Sequence, residues 1–103
     1  MLRMKGRKCV KQIKVDPRDD DFGAVLNCAV RYAIGRRTYM PSIVVGFILP
    51  LVPELTDKTL WCFQQDIMES QYRNALGDDC DAEQWCRLLA ATQYELCRRA
   101  QCK

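Results

Sequence analysis

Between Ile43 and Leu49 the chain runs Ile-Val-Val-Gly-Phe-Ile-Leu, with Pro41 just before it and Pro50 just after. This run constrains the fold more than any other. It is far shorter than the ~20 apolar residues needed to span a bilayer. A segment apolar on every side must be central in the fold or covered by a partner. Its β-branched residues would also suit a buried strand of about six residues. Pro41 favours a helix, because proline is tolerated in a first helical turn. Pro50 and Pro53 are expected to end that helix. With no polar face of its own, it predicts self-association, most simply as a two-fold homo-oligomer.

The rest of the chain supplies three amphipathic helices to surround it. Asp19, Asp20 and Asp21 provide an N-cap and dipole-matched acids. Phe22, Val25, Leu26, Ala29, Val30, Ala33 and Ile34 then recur at helical spacing as one apolar face. Gly35 is expected to be a left-handed stop, and Asp16-Pro17 a turn before the helix. Thr56 is the expected cap of a third helix, whose buried side takes Leu60, Phe63 and Ile67, with Trp61, Met68 and Tyr72 added to it. Gly77 should stop it. Asp81 with Gln84 reads as a capping box for a fourth helix. The core stripe of that helix is Trp85, Leu88, Leu89, Thr92 and Leu96, and Cys86 and Cys97 face the core as well. The short connections favour antiparallel neighbours.

The expectation is therefore an all-α protein, a compact four-helix bundle or orthogonal array formed by residues 16–103. Residues 1–15 precede it as a basic arm, in which the alternation of Cys9, Ile13 and Val15 allows a short strand. The arm carries Arg3, Lys5, Arg7, Lys8, Lys11 and Lys14 and no acid before Asp16. The remainder holds ten basic and thirteen acidic residues. Such an arm suits contact with polyanions, or simply keeps the start of the chain solvated.

The chain has no histidine. That removes the commonest general base and the usual activator of serine and cysteine nucleophiles, so no enzyme is expected and no catalytic residue is assigned. Seven cysteines are present. Without a secretory signal the expected location is the cytoplasm, where thiols stay reduced. Cys80, Cys86, Cys97 and Cys102 are too widely spaced for a structural zinc site, so neither metal nor cofactor is expected.

The densest chemistry lies at the first interhelical corner. Arg31, Tyr32, Arg36, Arg37, Thr38, Tyr39 and Ser42 fall within twelve positions. Guanidinium forks pair with phosphate oxygens, tyrosine stacks on a base, and hydroxyls with helix N-terminal amides donate to an anion. Together they form a candidate ligand site for a phosphate-bearing nucleotide. The structural alternative is that Arg36 and Arg37 only complement a helix dipole, with Tyr32 and Tyr39 in the core. A helix-turn-helix DNA reader ranks lower. The third helix carries Asp57, Asp66 and Glu69 against Lys58 and Arg73, a poor face for a polyanion.

The stretch DFGAVLNCAVRYAIGRRTYMPS (Asp21 to Ser42), with LTDKTL (Leu55 to Leu60) and Asp66-Ile67, resembles small accessory proteins of phages and prophages. The resemblance covers about half the chain. It implies residence in a bacterial host cytoplasm and antagonism of host defence, either by sequestering a nucleotide signal or by gripping a defence protein. The expectation is thus a non-enzymatic binding protein that sequesters a nucleotide through its Arg/Tyr cluster. The alternative is a protein–protein inhibitor or modulator of a host protein, and a small DNA-binding protein comes third.

Overall fold

The computed structural model describes residues 16–36 and 40–101, with the side chains of residues 35 and 36 excepted. The basic arm and its short strand lie outside the described residues. The described chain is all-α, with four helices and no strand.

Asp16 opens it with a turn, accepting the Arg18 N–H on its carboxylate and the Asp19 N–H on its carbonyl. Helix α1 spans Asp20–Arg31, and Asp19 caps it by accepting the Asp21 N–H at 3.0 Å. It does not stop before Gly35 as expected. It widens into a π-helical turn, Tyr32–Arg36, with Gly35 inside it. Helix α2 covers Pro41–Ile48, with proline at its start. Pro50 and Pro53 end its α-geometry but not its winding: Leu49–Glu54 continues as a 3₁₀ helix, with Pro53 inside. A proline without an N–H cannot continue an α ladder, and a tighter turn accommodates it.

Helix α3, Asp57–Tyr72, starts where expected, with the Thr56 hydroxyl accepting the Thr59 N–H at 3.2 Å. It ends at Asn74 (φ 57°) rather than at Gly77 (φ 97°), which lies beyond in the connection. Asparagine is the residue other than glycine that most readily takes this left-handed position. Helix α4, Asp79–Gln101, begins earlier than expected. Its cap is Asp78, whose carboxylate accepts the Asp81 N–H at 2.9 Å and whose carbonyl accepts the Ala82 N–H. Asp81 is thus a first-turn acid.

The most extensive packing is α3 against α4, followed by α1 on α3 and α2 on α4, while α1 and α2 touch each other little. Val30, Val45, Ile48, Leu60, Phe63, Ile67, Trp85 and Leu88 are fully buried at the centre. Each such side chain contributes roughly 1.5–3 kcal/mol on burial. Three expected core members of α1 and α4 differ. Val25 is exposed, and Cys86 and Cys97 point outward. Their places are taken by polar or small residues: Gly23 and Asn27 on α1, Glu95 on α4.

Gly23 marks the α1–α3 crossing. A Cβ there would overlap Thr59 Oγ1 and come within 3.0 and 3.1 Å of its Cβ and Cγ2. One turn on, Asn27 Nδ2 donates to the Thr59 carbonyl at 3.2 Å. The whole threonine side chain blocks an added methyl, and Thr59 is itself buried.

Glu95 has the opposite character. It is 5% exposed and accepts from Arg98 at 2.6 Å and from Arg99 at 2.7 Å. Arg99 reaches on to Asp57 at 2.6 Å and to the Pro53 carbonyl at 3.1 Å. One carboxylate therefore ties the end of α4 to the 3₁₀ segment and the start of α3. The two arginine hydrogen bonds outweigh burial and hold the Glu95 carboxyl at about 2, well below its ordinary 4.5.

This packing sets the outcome of three substitutions. Gly23→Ala should lower stability by about 1–3 kcal/mol in urea denaturation. By contrast, Gly46→Ala, with nothing within 4 Å of its new methyl, should gain about 0.5–1 kcal/mol at low protein concentration. For Glu95, the unfolded chain binds the extra proton between pH 4.5 and about 2, so the stability it provides is present above that window and lost as pH falls through it. Glu95→Gln should be less stable at neutral pH. Its acid unfolding curve should also lack this component of the wild-type pH dependence.

Candidate functional site

Three surfaces merit comparison: the expected Arg/Tyr corner, a stripe on α3, and the seam between α1 and α2.

At the corner, Arg31 closes the last turn of α1, and its Nε donates to Asp66 Oδ2 of α3 at 3.2 Å. Tyr32 follows in the π turn and is half-exposed. Arg36 contributes backbone to that turn, while its side chain, with Arg37, Thr38 and Tyr39, lies outside the described residues. Ser42 is exposed in the first turn of α2. Of the described amides at the start of α2, several are absent or already engaged. Pro41 has none, and Ile43 and Val44 both donate to the Met40 carbonyl, at 3.0 and 3.1 Å.

Beside this corner, Arg31, Asp66, Glu69, Ser70 and Arg73 surround a cleft of about 180 Å³. Its charges are already matched: Arg31 with Asp66, and Arg73 with Glu69 at 2.8 Å. Partial burial raises the Asp66 carboxyl above its ordinary range, against the pull of Arg31 and with a small push from Glu69. On acidification Asp66 therefore takes up its proton before Glu95 does. Sequence reasoning did not anticipate Asp66 or Glu69 here, because contacts between residues far apart in the chain leave no local signature.

The second surface is a correction. Trp61, Met68 and Tyr72, expected on the buried side of α3, are 55%, 45% and 92% exposed. The helical period gives the reason. Thr59, Leu60, Phe63 and Ile67 occupy one face, whereas positions 61, 68 and 72 form a second stripe roughly 140° around the axis at ~100° per residue. Plotting the residues on that period separates the two stripes from sequence alone. Lys58, Gln65 and Glu69, all exposed, flank the aromatic stripe. Gln93 on α4 reaches the Met68 sulfur at 3.9 Å.

The third surface follows from the packing order. Helix α1 leans on α3 and α2 on α4, so the seam between α1 and α2 stays open as a groove of about 350 Å³. Val25, Ala29, Ile43 and Phe47 are among its lining.

Among the described residues no three of Cys, Asp and Glu converge as a metal site. No described helix is long and apolar enough to cross a membrane. No match to the chain was found among protein-family models, curated proteins or solved structures.

Proposed function

We propose that this is a non-catalytic helical interaction protein that binds another protein through the Trp61–Met68–Tyr72 stripe of α3. One observation carries the reading: three large side chains of the types most enriched at interface centres stand in water on one helix face. The core of the protein does not use them. Gln65 between them and the charged Lys58 and Glu69 beside them match the polar rim of a transient interface. The lack of histidine and the paired state of the cleft carboxylates support a role without catalysis. The phage-type context implied by the resemblance makes a host protein the class of partner.

A second reading, sequestration of a phosphate-bearing nucleotide, is supported by Arg31 and Arg73 opening onto one cleft. A phosphate there competes with Asp66 and Glu69 for both guanidiniums.

The two readings separate experimentally. A partner retained stoichiometrically by the wild type from a bacterial host lysate should bind Trp61→Ala or Tyr72→Ala at least about tenfold more weakly, with helical content unchanged. Equal retention by these variants overturns the protein-binding reading. On the nucleotide reading, a cyclic or linear nucleotide should raise the thermal midpoint of the wild type but not of Arg31→Ala or of the Arg36→Ala/Arg37→Ala pair. A nucleotide screen that yields no such shift removes that reading.

A further inference from the structure

We propose that the open α1–α2 face is a two-fold interface whose occupant is a second copy of this chain. The face is distinct from the α3 stripe, and the proposal does not rest on that stripe.

The first argument is area. Val25, Met40, Ile43 and Phe47 are 63%, 62%, 65% and 59% exposed. At roughly 150–200 Å² for a fully exposed side chain of this size, they offer about 450 Å² per copy and about 900 Å² for a pair. Tyr32, 42% exposed, lies on the same stripe of α1 as Val25 and Ala29. It brings a symmetric contact past the ~1,000 Å² that separates a biological interface from an incidental one.

The second argument is charge. Residues 38–53 contain no charged side chain, so α2 is electrically blank, as is its 3₁₀ extension up to Glu54. In an isologous contact each patch meets its own image, and any charge near the axis would face its like. The α2 half of the face, blank, aliphatic and phenylalanine-bearing, satisfies that requirement, while on α1 the exposed Asp21 lies one turn before Val25. The α2 half also resembles the apolar interfaces of homodimers rather than the mixed ones of transient pairs. The α3 stripe, bordered by Lys58 and Glu69, has the other composition.

The third is shape. The face carries both a groove and a knob. The groove between α1 and α2 holds about 350 Å³, and Phe47 stands exposed at its edge. Around a two-fold axis, the Phe47 ring of each copy enters the groove of the other, against Val25 and Ala29.

The test is the mass of the full chain by sedimentation or light scattering from micromolar to about 100 µM. It should be run in reductant, because Cys28, Cys80, Cys86 and Cys97 are exposed thiols. The wild type should reach twice the 12.0 kDa chain mass. Phe47→Glu, and independently Val25→Glu on the other helix, should weaken dimerisation at least about a hundredfold while circular dichroism stays unchanged. Both positions are exposed in the protomer, and the second variant covers the event that the first does not fold. Trp61→Ala should remain dimeric, which keeps this outcome separate from the partner assay. A wild type that stays at one chain mass throughout, or a dimer that folded glutamate variants leave intact, overturns the proposal.

Discussion

The architecture depends on the N-terminal turn of α3, which is gripped from two sides. On one side Gly23 lets the α1 backbone lie directly on the Thr59 side chain, and Asn27 fastens the contact by donating to the Thr59 carbonyl. Thr59 is in turn hydrogen-bonded to Thr56, the cap of the same helix, at 2.9 Å between their hydroxyls. The crossing and the cap are therefore one unit, and neither can shift without disturbing the other. A close helix approach of this kind leaves no slack for even one methyl group, because interiors are packed at crystal-like density.

On the other side, the end of α4 reaches the same turn through charge. Glu95 sits in the interior and is tolerated because two guanidiniums meet it. A buried carboxylate lacking such partners would be costly. Arg99 spans the rest of the gap to Asp57 and the Pro53 carbonyl. This network fixes the 3₁₀ segment that follows α2, and thereby the position of α2 over α4. Apolar burial supplies most of the stability, while the polar contacts set how the helices are placed.

That placement determines the surface. With α1 committed to α3 and α2 to α4, the two helices joined by the Arg/Tyr corner have little contact left for one another. The seam stays open, and the apolar side chains beside it are exposed to solvent. The same commitment turns Arg31 toward Asp66, so one arginine of the corner's basic cluster is charge-paired. The two uncovered faces differ in character. The α2 side of the α1–α2 face is uncharged, whereas the α3 stripe is aromatic with a charged border, which assigns them to different kinds of contact.

The amino-acid sequence by itself determined the number and type of helices and most of their beginnings. Caps such as Asp19 and Thr56 act on amides two or three residues away, and the apolar period of α1 is equally local. It did not determine how the helices end: Asn74 in place of Gly77 and the π turn through Gly35 reflect packing as well as local propensity. The helical period already sets Trp61, Met68 and Tyr72 apart from the Leu60 face, but only the tertiary structure decided which stripe is covered, and it placed Val25 in solvent and Glu95 in the interior. It also decided which charge meets which, as Arg31 finds Asp66 thirty-five positions away and Arg99 finds Asp57 forty-two positions away. Those outcomes depend on which helix lies against which, and no pattern within a single helix encodes that relation.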